Sequence, residues 1–269
     1  MTMTPTIIGI PFDGNSSYLR GSSAAPPAIR EALRCDAWNQ WTELGVDLGV
    51  AGAFADAGDL RLSNGEGGAD FETIEREIES LLQSGKRPVS LGGDHSITYP
   101  ILRAFGRHYP QLTMVHFDAH PDLYDQFEGS RMSHACPFAR IMEEKLAARL
   151  VQVGIRTMVG HQREQAARFG VEVVEMRSLP AYERVKAQGP VYISFDMDVL
   201  DPAFAPGVSH WEPGGMAVRE AIAHLHAIEG EIVGADLVEF NPVRDRSGLT
   251  ATVAAKILKE ILGEMILGQ

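Results

Sequence analysis

Four segments far apart in the chain carry side chains suited to chemistry: Gly92-Gly93-Asp94-His95-Ser96, Asp118-Ala119-His120-Pro121-Asp122, Asp196-Met197-Asp198-Val199-Leu200-Asp201-Pro202 and Asp236-Leu237-Val238-Glu239. The second puts two carboxylates and an imidazole within five residues. Such a loop binds a metal or forms an N-cap and turn network, since Asp favours both. Asp196 and Asp198 close an apolar, β-branched run, and in a strand side chains two apart share a face. Like charges held side by side repel, and a divalent cation offsets them. A lone His95 after a glycine turn is ordinarily a hydrogen-bonded structural residue. Together, His95, Asp118, His120, Asp122, Asp196 and Asp198 offer four carboxylates and two imidazoles, with no thiolate. That donor set suits Mn²⁺ or Fe²⁺, Zn²⁺ less well, and Mg²⁺ poorly because of the imidazoles. Six donors exceed one ion's needs, so two ions sharing carboxylates fit, a pairing that activates water.

Other polar residues carry less information. His134, in Ser133-His134-Ala135, is suited to relaying protons, or is simply a solvated loop histidine. Glu239 could accept hydrogen bonds from a cationic substrate group. Ser209, His210 and Glu212 lie on a loop that could line a cleft mouth, with His210 and Glu212 as plausible substrate contacts or solvated residues. Asp59 and Asp201, the latter before Pro202, read as structural and turn residues.

The elements that must position these groups alternate. Strands are expected over 6–12, 88–91, 112–117, 150–155, 171–176, 191–195 and 231–237, with a short one at 46–50. Helices are expected over 24–34, 70–84, from 96 to about 108, 138–149, 162–169, 218–228 and from 249 onward, the last turning Val253, Ile257, Leu258, Ile261, Leu262 and Met265 inward. Residues 51–69 show little pattern. Strand–helix alternation without a linker or repeat implies one domain with a parallel sheet covered on both faces. The four polar segments each follow a strand, and in open parallel sheets ligands bind beyond the carboxyl ends of the strands. That rule would bring all four to one place.

With 269 residues, 45% apolar, the chain has material for a large core. Its net charge of −12 argues against nucleic-acid or anionic-membrane partners, which call for a basic surface. Cys35 and Cys136, far apart and outside any metal-ribbon motif, read as reduced, partly buried thiols. No run approaches a membrane span and the first residues lack a signal-peptide pattern, so a soluble cytoplasmic protein is expected.

In order and spacing across nearly the whole chain, the first three segments and Val238-Glu239-Phe240-Asn241-Pro242 resemble the ureohydrolases, the family of arginase and agmatinase. The resemblance implies a three-layer α/β/α domain over residues 1–269, with an eight-stranded parallel sheet and two Mn²⁺ per subunit. By motif position, one ion falls to His95, Asp118, Asp122 and Asp196, and the other to His120, Asp118, Asp196 and Asp198, with Asp118 and Asp196 bridging. The family's proton-shuttle histidine falls on His134 and its guanidinium-binding glutamate on Glu239, while Asp122 would pass a proton to the leaving amine. The implied reaction turns a guanidino substrate into urea and an amine, in a homotrimer or homohexamer.

Departures bear on the substrate. Residues 207–215, Gly-Val-Ser-His-Trp-Glu-Pro-Gly-Gly, stand where many members have Gly-Thr-Gly-Thr-Pro, and residues 123–132 replace the Asn- and Ser-bearing loop of animal arginases. Phe127-Glu128-Gly129, Ser133-His134-Ala135 and Val208-Ser209-His210 look most like plant-type arginases. L-Arginine is therefore expected ahead of agmatine, 4-guanidinobutyrate or guanidine. The alternatives are a zinc amide hydrolase of deacetylase type and a scaffold without activity.

Overall fold

The computed structural model describes residues 3–63, 68–179 and 185–268. Eight strands, β1 (Thr4–Gly9), β2 (Ala55–Asp59), β3 (Lys86–Leu91), β4 (Thr113–Phe117), β5 (Arg149–Ile155), β6 (Glu172–Glu175), β7 (Val185–Asp196) and β8 (Ile228–Val238), form one sheet in the order β2-β1-β3-β8-β7-β4-β5-β6. Every neighbouring pair is parallel. The middle strands are buried on both faces, which is why β4 and residues 191–195 read as near-continuous apolar runs.

Helices α1 (Ala25–Leu33), α6 (Val218–His226) and α7 (Leu249–Leu267) cover one face of the sheet. Helices α2 (Gly68–Gln83), α3 (Thr98–His108), α4 (Pro137–Glu143) and α5 (Gly160–Phe169) cover the other. The expected three-layer α/β/α architecture with an eight-stranded parallel sheet is what the chain adopts. Val253, Ile257, Leu258, Ile261, Leu262 and Met265 are all buried on α7. Each such burial contributes roughly 1.5–3 kcal/mol before the entropy of ordering is subtracted.

The structure corrects three local expectations. No strand forms at 46–50; the edge strand is β2, inside the stretch that showed no pattern. Four of its five residues are exposed, so no apolar alternation marks it, and Arg30 on α1 holds it through ion pairs with Asp56 and Asp59. That pairing accounts for Asp59 as a structural residue. Helix α4 stops at Glu143 because Lys145 takes a left-handed φ of 56°. Of the two thiols, Cys136 is buried and Cys35 is exposed rather than partly buried.

The order of strands locates the site. β3 and β4 follow one another in sequence, yet β8 and β7 lie between them. Of the neighbouring strands β7 and β4, the chain leaves β7 toward β8 and β4 toward β5, in opposite directions, and this is the switch point at which open parallel sheets hold ligands.

Candidate metal centre and cleft

The four adjacent strands β3, β8, β7 and β4 end in the four polar segments. After β3, Gly93 lies so close to the Phe12 carbonyl that a Cβ would collide with it. The same carbonyl accepts the Asp94 N–H at 2.8 Å, and the short 3-10 turn His95–Ile97 places His95 over the sheet. After β7 the expectation of strand alternation fails: the strand ends at Asp196, and Met197–Val199 is a 3-10 turn. That turn brings Asp198 beside Asp196, whose Oδ1 accepts the Asp198 N–H at 2.7 Å. Asp122 and Glu239 take left-handed backbone conformations, φ 47° and 62°. Non-glycine residues seldom do so, and the strain concentrates at functional positions.

The carboxylates converge on two imidazole nitrogens. His95 Nδ1 stands 3.2, 3.2 and 3.1 Å from Oδ2 of Asp118, Asp122 and Asp196. His120 Nδ1 stands 3.4 Å from Asp118 Oδ1 and 3.1 Å from Asp198 Oδ2. Asp118 therefore faces both groups, and Asp196 faces His95. Backbone N–H groups of Ala119, His120 and Asp198 donate to Oδ1 of Asp198, Asp118 and Asp196 respectively, fixing each carboxylate.

A layer beneath aims these groups. Paired positions form one polar row across five strands: Ser90 with Asp236, Asp236 with Ser194, Ser194 with His116, and His116 with Gln152. Ser194 Oγ donates to Asp236 Oδ1 at 2.7 Å and so accepts from His95 Nε2 at 2.9 Å. The Gln152 amide donates to His116 Nδ1 at 3.0 Å, leaving His116 Nε2–H to donate to Asp118 Oδ2 at 2.8 Å. These bonds assign the tautomers. His116 spends both nitrogens on support. His95 turns the bare lone pair of Nδ1 toward three carboxylates, without a hydrogen bond.

A buried lone pair facing anionic oxygens is repulsive unless positive charge sits between them. Burial alone would lower the His95 imidazole, but Asp118, Asp122 and Asp196 raise it well above its usual value. Burial raises Asp196 well above the carboxylate range, and Asp198 and Asp118 add to the effect. His120 is likewise raised, against burial, by Asp198, Asp118 and Glu212. The cluster is short of positive charge and recruits protons where a cation would serve. Cis ligands on ions bound at ~2.0–2.4 Å lie about 2.9–3.4 Å apart, so the observed spacings fit hard divalent cations. The His/Asp cluster fits a metal site.

Above it opens a cleft of about 240 Å³, lined by His120, Asp122, Asp196, Asp198, His134, His210, Glu212 and Glu239 among others. Glu239 Oε1 accepts from the His95 N–H and from His134 Nδ1, both at 2.9 Å, and His134 Nε2 meets Ser17 Oγ at 2.8 Å. Burial opposes a charged His134, but Glu239 prevails and pushes it up to about 9. His210 packs its ring 5.3 Å from His134 and 6.0 Å from His120, and burial lowers its pKa. Glu212 lies 3.6 Å from His120 Nε2.

Ser209, expected as a substrate contact, is not in the cleft wall. Its hydroxyl donates to the Leu19 carbonyl at 2.7 Å and accepts from Asn241 at 2.9 Å, holding two loops together. Asp94 clamps the N–H groups of Asn15 and Ser96 instead of facing the cluster, and Asp201 accepts from the Ala203, Gly214 and Gly215 N–H groups as a turn residue. Tyr124 and Phe127, from the 123–132 loop that the sequence singled out for the substrate, stand in the wall, whereas sequence reasoning missed Ser17, Thr157, Val159 and Gln162. It also missed Arg156, which donates to the carbonyls of Asp198, Val199 and Glu212 and braces the turn carrying Asp198.

Comparison with known proteins agrees with this geometry. A family model described as the arginase family matches residues 4–263. The chain is 46% identical over 275 residues to arginase 1, mitochondrial, of Arabidopsis thaliana, covering 97% of this chain and 80% of that protein. It is 36% identical over 264 residues to agmatinase of Bacillus subtilis (strain 168), covering 95% and 90%. The solved structure of arginase from Medicago truncatula superposes with a TM-score of 0.93 at 43% identity, covering 98% of this chain and 88% of that one. By sequence and by fold, this chain belongs to the arginase family of hydrolases.

Proposed function

We propose that the chain hydrolyses L-arginine to L-ornithine and urea, with two Mn²⁺ held by His95, Asp118, Asp122 and Asp196 and by His120, Asp118, Asp196 and Asp198. The observation carrying the hydrolytic reading is His95 Nδ1, the ring nitrogen left without a hydrogen bond when Nε2 donates to the Ser194–Asp236 pair, and aimed at three carboxylates. When bound, a pair of divalent cations supplies Lewis acidity and makes water nucleophilic at neutral pH. Glu239 keeps Oε2 for the planar guanidinium, because Oε1 is taken by His95 and His134. Asp122 stands at the cleft floor to accept a proton and return it to the leaving amine. His134, tied between Glu239 and Ser17, carries protons outward, and His210 packs against it.

Arginine ranks first because the likeness is greater to plant arginases than to agmatinases. The agmatinase reading has its own support: among the described residues lining the cleft there is no Lys or Arg to meet a substrate carboxylate. Urea release from L-arginine, agmatine, 4-guanidinobutyrate and guanidine after Mn²⁺ loading separates the readings. Arginine should turn over fastest, and Asp196→Ala or His120→Ala should abolish the activity; undiminished urea from either variant refutes the assigned centre. Metal analysis should return two Mn²⁺ per chain, whereas one Zn²⁺ would favour the deacetylase-type chemistry.

The remaining expectations are proposals of the same standing. That residues 1–269 form one domain is supported by a single sheet joining strands from Thr4 to Val238, with α7 packed on it. A homotrimer or homohexamer is supported by the family resemblance, and sedimentation would measure it. Unpaired thiols suit a reducing compartment, cytoplasm or organelle matrix alike; the Arabidopsis relative is named as mitochondrial. Among the described residues no helix is long and apolar enough to cross a membrane.

A further inference from the structure

One imidazole of the cluster has no support from the buried polar row. His95 is fixed through Nε2 by Ser194, and Asp118 is fixed by His116. His120 stands above the sheet, partly exposed and lining the cleft. Its Nδ1 faces Asp118 and Asp198, so Nε2 points the other way, toward Glu212 Oε1 at 3.6 Å. Among the described residues, Glu212 is the acid paired with that nitrogen, and its carboxylate has no other side-chain partner at such a distance. The separation is that of an ion pair, just beyond a direct hydrogen bond. A partly exposed glutamate closes it by turning its side chain.

The loop that carries Glu212 is held from several sides. Asp201 Oδ2 accepts the N–H groups of Gly214 and Gly215 at 2.7 and 3.2 Å. Gly215 lies so close to the backbone of Leu200 and Asp201 that a Cβ would collide with it. Trp211 Nε1 donates to the Pro206 carbonyl at 2.9 Å, and the Arg244 guanidinium lies 4.4 Å from the centre of its ring. The Glu212 carbonyl accepts from Arg156 Nε at 2.8 Å and Nη2 at 2.6 Å. The same Nη2 donates to the Asp198 carbonyl at 2.6 Å, and the Arg156 backbone N–H donates to the Ala119 carbonyl, next to His120, at 2.9 Å. One residue thus registers His120, Asp198 and Glu212 against one another. A glutamate that only lined the mouth would need no such registration.

We propose that Glu212 is a positioning residue of the metal centre: it holds the proton of His120 on Nε2, so that Nδ1 presents a bare lone pair to the ion shared with Asp198. A neutral imidazole binds a metal through one nitrogen while the other keeps the proton, and a carboxylate at that second nitrogen fixes the ring and raises its basicity. The electrostatics agree, since His120 foremost holds the Glu212 carboxyl below its usual value. Support for the two imidazoles then comes from opposite sides, for His95 from the buried row and for His120 from a surface loop. The inference rests on the two-ion reading proposed above and adds to it a residue that touches no ion.

The test is Mn²⁺ titration calorimetry of chelator-treated wild type, Glu212→Gln and Glu212→Leu, with EPR following whether the bound ions are spin-coupled. The Glu212 side chain is partly exposed, so neither substitution should cost the fold. Glu212→Leu should bind one Mn²⁺ as wild type does and the other at least ~10-fold more weakly, with the signal of isolated Mn²⁺ where wild type shows a coupled pair. Glu212→Gln keeps an acceptor for the Nε2 proton and should lose less. Added to His120→Ala, Glu212→Leu should leave the affinity of the remaining site unchanged, because its effect passes through His120. A further loss there, or equal weakening of both ions in the single variant, would place the effect in the loop and overturn the proposal. So would a Glu212→Leu variant that binds both ions as tightly as wild type, the result expected of a glutamate that only lines the wall. If wild type itself takes up fewer than two ions, the two-ion reading fails and this one with it, a result distinct from the others.

Discussion

Asp236 never faces the cleft, yet removing its carboxylate should disturb both the fold and the metal centre. It is fully buried and accepts three hydrogen bonds, from Thr98 Oγ1 at 3.0 Å, Tyr192 OH at 2.8 Å and Ser194 Oγ at 2.7 Å. In Asp236→Ala the buried hydroxyls of Thr98 and Tyr192 lose the acceptor each uses, at about 1–3 kcal/mol apiece, and the bond to Ser194 contributes about 1 kcal/mol more. Part of this is offset, because burial disfavours the carboxylate and raises its pKa. The net loss should be roughly 3–5 kcal/mol against a typical domain stability of ~5–15 kcal/mol. Asp236→Asn keeps an acceptor, and the three hydroxyls can rotate to meet its NH₂ group, so about 1–2 kcal/mol is expected. Ser194 then no longer fixes the tautomer of His95, and disturbing such an outer contact typically lowers metal affinity ~10–100-fold. Urea denaturation of the chelator-treated variants measures the first quantity and Mn²⁺ titration calorimetry the second. If Asp236→Ala unfolds within 1 kcal/mol of wild type, or the two variants are indistinguishable, the reasoning is wrong.

Two further outcomes follow from the same geometry. The His134 pKa is raised in the folded protein to about 9 from an ordinary 6.5, so its contribution to stability is complete below pH ~6.5 and lost as pH rises through about 9. The shift corresponds to about 3 kcal/mol; the unfolding free energy of metal-free protein should fall by that order between pH 6.5 and 9.5, and Glu239→Gln should flatten the slope. A wild type as flat as that variant would remove Glu239 as the cause. Arg156→Lys cannot fork across the Asp198, Val199 and Glu212 carbonyls, so Mn²⁺ affinity should drop ~10-fold or more as Asp198 loses its brace; an unchanged titration would show that the turn holds without it.

How legible these features were depended on whether a residue's surroundings leave a trace in the neighbouring sequence. Buried parallel strands do so through unbroken apolar runs, and α7 does so through its helical stripe, so both were readable. β2 leaves none: as an exposed edge its backbone pairs with β1 while its side chains face water and Arg30. The convergence of the polar segments was readable because it follows from a rule about strand ends.

The layer beneath the metal centre was in principle readable and was passed over. His116, Gln152, Ser194, Asp236 and Ser90 are polar residues within runs whose neighbours predict full burial. A polar group in such a position must find a partner inside the protein. One residue of this kind suggests little, but strand register converts five of them into a single row. The row then divides according to the ligand it serves, Asp236–Ser194 under His95 and Gln152–His116 under Asp118. This explains how five ionisable side chains, His95, Asp118, Asp122, Asp196 and Asp198, can be buried together in one arrangement with His120 half-buried beside them. The row dictates the tautomers of His116 within it and of His95 above it, and the carboxylates of Asp118, Asp196 and Asp198 are each pinned by a backbone N–H. The charge imbalance is thus built into the folded chain before any ion arrives, and Asp236, rather than a residue in the cleft, is where a single substitution should reveal it.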